Sequence, residues 1–185
     1  MIVVLLEMPR FILTGFGPFE NVPVNPSSDI VTALRSRNDI VATIPNIPVS
    51  IAGVTAAIGK IAGIQSPCDV IVHFGVDMTA HQIKLESVAY NEKNFRIPDI
   101  DGKVCFEEGI VDGGEPMLKT GINLGELDSP YLSVSYDPGR YICNLLYYKS
   151  LHAGWNSVFI HVPPCSAIPM EKQLEVVNCI LNNVA

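Results

Sequence analysis

The sequence has no long apolar run, no cluster of lysine and arginine, no CxxC pair and no glycine-rich phosphate loop. Each absence removes a class of function. The longest apolar stretch, residues 1–8, is broken by Glu7 and is far too short to span a bilayer. It lacks the basic lead and small-residue cleavage site of a secretory signal. The net charge is −7 and the 12 basic residues are spread along the chain, which argues against nucleic acid or a membrane surface as partner. Five cysteines (Cys68, Cys105, Cys143, Cys165 and Cys179) are irregularly spaced, so neither a disulfide framework nor a zinc site is indicated. An odd set of thiols fits a reducing, cytoplasmic setting. A metal site from Cys68, His73 and His81 matches no known ligand spacing. With no dinucleotide fingerprint either, no cofactor or metal is implied.

What is present is a chain of 185 residues, 48% hydrophobic, with a mean hydropathy of +0.31. That length suits one domain around a single core, residues 1–185. Residues 1–9 read as an extension, because Met8-Pro9-Arg10 places the first strand near Phe11. The apolar run at 10–14 ends at Gly15 and is followed by Phe16-Gly17-Pro18-Phe19. Asn25 then caps a helix with Pro26 as its first residue and Ile30, Val31 and Leu34 on one face. The two loop aromatics either fold back onto the core or wall a pocket at the carboxyl edge of a sheet, where α/β proteins bind ligands.

Residues 39–43 read as a short strand, and Ser50 caps a helix over 51–64. The uninterrupted run Val70-Ile71-Val72-His73-Phe74-Gly75 has the pattern of a central parallel strand. Over 82–90, alternation puts Ile83 and Leu85 on one face and Lys84, Glu86 and Val88 on the other. Residues 101–125, with six glycines including Gly125, read as a mobile loop or excursion. Residues 157–164 form another buried strand, and Pro169 opens a last helix with Met170, Leu174, Val177 and Leu181 at helical spacing. Such alternation of strand and helix predicts an α/β fold with helices on both faces of the sheet.

The stretch Asp137-Pro138-Gly139-Arg140-Tyr141-Ile142-Cys143-Asn144 comes after an extended run at 131–136. Asp137 can cap a helix and Pro138 fits its first position. Cys143 then lies in the second turn, or in the first turn if Gly139 delays the start. Helix N-termini favour negative charge within about one turn, and the thiolate is the reactive form of cysteine. The competing reading is a buried, inert cysteine.

His161 ends an apolar strand just before Pro163-Pro164, a position where catalytic groups gather in open α/β folds, although a satisfied core histidine has the same pattern. Glu86 is an acid in an otherwise apolar stretch. A cysteine nucleophile with a histidine base needs a third group to fix the imidazole tautomer, and a carboxylate does that. Cys143, His161 and Glu86 form a coherent set, but spacing alone does not bring them together.

Four stretches together resemble the pyroglutamyl peptidase I (pyrrolidone-carboxylate peptidase) family of cysteine peptidases, from about Phe11 to the last helix. They are Thr14-Gly15-Phe16-Gly17-Pro18-Phe19 with Val24-Asn25-Pro26-Ser27, Leu85-Glu86 through Asn91 with Arg96-Ile97-Pro98-Asp99, residues 137–144, and Phe159-Ile160-His161-Val162-Pro163. The resemblance implies a single-domain three-layer α/β/α sandwich around a twisted, mostly parallel mixed sheet. It implies a catalytic triad of Cys143, His161 and Glu86, with N-terminally pyroglutamylated peptides as substrates. Phe16 and Phe19 would line an apolar slot for the neutral lactam ring, Ile142 would add to its wall, and Arg96, near the site in the family, would bind substrate and assist the backbone N–H groups at the oxyanion. Many members have Arg after the glutamate, Asn after Ile-Pro-Asp and a small residue in place of Pro138. Here Ser87, Ile100 and Pro138 stand there, which bears on specificity and rate more than on reaction class. A non-catalytic binder and a nucleoside phosphorylase-like enzyme are the alternatives, and assembly into a homo-oligomer is left open.

Overall fold

The computed structural model describes residues 9–20, 22–124 and 129–183. Six strands form one sheet: β1 (Arg10–Phe16), β2 (Ile40–Ile47), β3 (Asp69–Val76), β4 (Ile83–Glu86), β7 (Leu132–Ser135) and β8 (Ser157–Val162). Their spatial order is β2-β1-β3-β8-β4-β7. All neighbours are parallel except β4 against β8. A separate antiparallel pair is made by β5 (Val88–Tyr90) and β6 (Met117–Lys119).

Alternation along the central strands divides the core in two. Phe11 and Leu13 of β1, Val72 and Phe74 of β3, and Val158, Ile160 and Val162 of β8 share one cluster with helices α1 (Pro26–Leu34) and α4 (Met170–Leu181). Phe16 of β1 and Phe159 of β8 point the other way, into a cluster with α2 (Ile51–Ile64) and α3 (Ile142–His152). Two helices therefore cover each face, giving three layers, and both faces of the central strands are apolar, as a buried parallel sheet requires.

The helix starts obey local chemistry. The Asn25 side chain accepts from the Ser27 N–H with Pro26 at the first position, and Ser50 accepts from the Gly53 N–H. Strand β2 runs further than residues 39–43, passing through Pro45 to Ile47. It lies at the sheet edge, where a residue without an N–H costs little. The stretch 82–90 is two strands instead of one. The Ser87 N–H donates to the Ser135 carbonyl, while the Ser87 carbonyl accepts from Thr120, which turns the chain from the main sheet into the β5–β6 pair.

The glycine-rich segment is not a free loop. Gly125 lies outside the described residues, but 101–124 contains β6 and is fastened at two points. Asn91 accepts from the N–H groups of Ile110 and Val111 and donates to the carbonyls of Val111 and Gly114. Asp99 accepts from the N–H groups of Asp101, Lys103 and Ile51. The strand start expected near Phe11 is at Arg10, and residues 1–8 of the expected extension lie outside the described part. Among the described residues no helix is long and apolar enough to cross a membrane.

Candidate active site

The site is built where β8, β4, β3 and the start of α3 converge. In the antiparallel pair, Lys84 is opposite His161 and Glu86 opposite Phe159. Glu86 and His161 are therefore diagonal neighbours on one face, within reach for long side chains. Glu86 Oε1 lies 2.8 Å from Nδ1 of His161. The carboxyl is fully buried, and its Oε2 has no hydrogen-bond partner among the described residues. Among the described residues its ion pair is with His161, charged when the ring is protonated. With Nδ1 engaged by Glu86, Nε2 of His161 is left for Cys143, which lines the same cavity and favours a proton on the ring. Burial opposes the charge on His161, but Cys143 and Glu86 on either side outweigh it and push the imidazole up to about 10.

The approach to Cys143 differs from the simple cap-and-proline reading. Asp137 does not cap the helix. Its Oδ1 accepts from the Gly139 N–H at 3.1 Å and from Arg140 Nη1 at 2.7 Å. Gly139 has φ +76°, a left-handed conformation that reverses the chain and postpones the helix. Helix α3 begins at Ile142 after the extended Tyr141, so Cys143 lies in the first turn, the second of the two placements the sequence left open. The first N–H groups of a helix have no intrahelical partner, and here they surround the sulfur's own backbone.

Asn144 holds this helix start in place. Its side chain is fully buried, accepts from the Tyr90 N–H, and donates to the carbonyls of Tyr90 and Glu92, each at 2.9 Å. Gly75 of β3, paired with His161, passes directly under Cys143. A Cβ there would lie 2.9 Å from Sγ and 2.8 Å from Cζ of Phe159.

A cavity of about 370 Å³ opens beside Cys143 and His161, with Phe19, Val76 and Met78 as apolar walls. A larger one of about 780 Å³ shares Asp77, Asp137, Gly139 and Tyr141 with it. Asp77 is salt-bridged to Lys84 at 2.7 Å and bonded to Thr79. Burial works against its charge, yet Lys84 and Thr79 prevail and hold its carboxyl down at about 2. Burial pushes the Tyr141 hydroxyl up to about 12, with help from nearby Asp99, Glu20 and Cys143. Among the described residues no group of three or more His, Cys, Asp or Glu side chains is arranged to hold a metal ion.

Comparison with known proteins decides the family. A family model described as pyroglutamyl peptidase matches residues 9–178. The chain is 32% identical to the pyrrolidone-carboxylate peptidase of Coprothermobacter proteolyticus, over 91% of this chain and 95% of that one. It is 32% identical to pyroglutamyl-peptidase 1 of Rattus norvegicus, over 86% and 82% respectively. The crystal structure of the pyrrolidone carboxyl peptidase from Fervidobacterium islandicum superposes with a TM-score of 0.84 at 30% identity, covering 95% of this chain and 97% of that one. This chain belongs to the pyroglutamyl peptidase family.

These likenesses favour the peptidase over the phosphorylase-like and non-catalytic alternatives. Within a pyroglutamyl peptidase frame the expected site residues divide. Cys143, His161 and Glu86 lie together, and Phe19 lines the cavity beside them. Phe16 does not: it ends β1 and is 2% exposed within the core under α2 and α3. Ile142 is likewise fully buried in that core, because the delayed helix start turns it inward. Neither forms part of the cavity wall at Cys143. Arg96 is exposed and lines the larger, adjoining cavity. The sequence reading missed the contributions of Gly75, Asn144 and the Asp77–Lys84 pair. The signals available were a glycine closing an apolar strand and a polar residue beside Cys143 at the start of an apolar helix.

Proposed function

We propose that this chain is a cysteine peptidase that hydrolyses the amide bond after an N-terminal pyroglutamyl residue. The observation that carries the proposal is the line from Glu86 through His161 to Cys143, in a chain of the pyroglutamyl peptidase family. His161, held by Glu86, takes the proton of Cys143, which makes the sulfur the nucleophile. The sulfur attacks the pyroglutamyl carbonyl, and the oxygen's developing charge is met by backbone N–H groups at the start of α3. His161 then gives its proton to the departing amine. Water, losing its proton to the same ring, hydrolyses the thioester and restores the thiol.

Selectivity for a neutral ring arises from the charges at the site. The nearby carboxylates are already engaged: Glu86 by His161, Asp77 by Lys84 and Asp137 by Arg140. A substrate ammonium would lose its water without gaining an unengaged counter-ion, whereas the lactam ring carries no charge to desolvate. Phe19, Val76 and Met78 supply its apolar walls. The reaction belongs in a reducing, cytoplasmic setting, in keeping with five free thiols that include Cys143.

Release of a fluorescent amine from a pyroglutamyl amide tests this reading, with a prolyl amide as control. The expected result is hydrolysis of the pyroglutamyl compound alone, lost in Cys143→Ser. A folded, reduced protein that releases no amine, or a Cys143→Ser variant with full activity, overturns it.

A further inference from the structure

The larger cavity adjoins the site and is lined by five charged side chains, four of which are already paired. Arg140 donates through Nε to Glu92 at 3.2 Å and through Nη1 to Asp137 at 2.7 Å, with its guanidinium 3.7 Å from the centre of the Tyr90 ring. Asp77 is held by Lys84. Arg96 is different: it makes no hydrogen bond or ion pair with the described residues, and acts on Asp137 through its charge alone. A guanidinium with five donors, exposed in a cavity whose acidic groups are taken, is an open site for a planar anion.

The position of the cavity identifies the anion. The 370 Å³ space beside Cys143 suits the pyroglutamyl ring, so the adjoining 780 Å³ holds the part of the peptide beyond the scissile bond. We infer that the larger cavity is a leaving-group subsite in which Arg96 binds a carboxylate of the substrate, so that the enzyme favours short or acidic pyroglutamyl peptides. The inference rests on the peptidase reading. The carboxylate has two sources, the C-terminus of a dipeptide or an acidic side chain just after the scissile bond. Arg96 acts as a binding residue, and its effect enters mainly through KM.

The test compares kcat/KM for two matched pairs: pyroglutamyl-alanine with its amide, and pyroglutamyl-glutamate amide with pyroglutamyl-glutamine amide. Wild type, Arg96→Gln and Arg96→Lys are used. Because Arg96 is solvated, the expected preference for the carboxylate is about fivefold. It shrinks with added salt, falls towards one in Arg96→Gln and is partly kept in Arg96→Lys. A preference in the first pair identifies the C-terminus, one in the second the side chain. Ratios of one in both pairs, ratios untouched by Arg96→Gln, or an equal loss on all four substrates overturn the inference. Calorimetric binding of the same four compounds to Cys143→Ser reads the preference without turnover. Absence of turnover with the binding preference intact would count against the peptidase reading alone.

Discussion

Gly75 lies under Cys143 with no room for another atom between them: a Cβ at position 75 would stand 2.9 Å from the sulfur and 2.8 Å from the Phe159 ring. Sγ and the ring cannot both keep their places over an alanine. Gly75→Ala should cost about 1–3 kcal/mol through overpacking. A displaced sulfur should lower kcat by about 10²-fold. Urea denaturation and steady-state kinetics on a pyroglutamyl amide read the two effects. Wild-type kcat in Gly75→Ala would show that the strand does not set the sulfur's position.

Glu86 and His161 are joined by a 2.8 Å contact inside the protein. Glu86→Gln keeps the shape and removes the charge that favours the imidazolium. The expected result is a fall in kcat of about 10²-fold with little change in KM. An unaltered kcat would mean that the carboxyl neither orients nor charges the ring.

Two buried histidines set opposite limits on stability with pH. His161 is raised to about 10, above the value of about 6.5 in an unfolded chain. Its ion pair stabilises the fold fully below about 6.5, and that contribution is lost as pH rises towards 10. His73 is fully buried in β3, bonded through Nδ1 to Thr14 Oγ1 at 2.8 Å, and burial pushes it down to about 3. The unfolded chain takes up that proton first, so stability falls as pH drops from about 6.5 towards 3. Urea midpoints should therefore peak near neutral pH. The alkaline decline should weaken in Glu86→Gln, and the basic limb of kcat/KM should move to lower pH. A basic limb that stays in place would contradict the coupling of the two residues.

Asn144 satisfies three backbone groups of Tyr90 and Glu92 from inside the protein. Asn144→Ala removes the partner of the Tyr90 N–H and the Glu92 carbonyl, while the Tyr90 carbonyl keeps the Glu92 N–H, and should cost about 2 kcal/mol. It should also lower kcat by loosening the start of α3. Asn144→Asp, which sets a buried carboxylate oxygen against the two carbonyls, should be at least as destabilising as alanine in a urea titration taken with kinetics. An alanine variant of wild-type stability would remove Asn144 from this role.

Much of the fold was legible because short-range chemistry agreed with it. Asn25-Pro26 and Ser50 marked helix starts, and the apolar runs at 70–75 and 157–162 marked central strands. Where the reading failed, backbone geometry or a competing partner decided. Asp137-Pro138 had the letters of a helix start, but Arg140 and the left-handed Gly139 turned it into a separate loop. Phe16 and Ile142 stood next to site residues in sequence, yet strand alternation and the delayed helix buried both in the core. The segment 101–124 looked free because its fastening residues, Asn91 and Asp99, lie before it in sequence. The diagonal placement of Glu86 and His161 depends on the antiparallel register of β4 with β8, which no local pattern encodes.

The most direct test of the account is to trap the covalent intermediate. Reduced enzyme is mixed with an activated pyroglutamyl ester, quenched in acid within the first turnover, digested and weighed by mass spectrometry. The account predicts one added pyroglutamyl group on the peptide carrying Cys143, accumulating further in His161→Gln loaded with the same ester because deacylation has lost its base. A pyroglutamyl group on another residue, or product formed in a burst with no acyl-enzyme at Cys143, would contradict it.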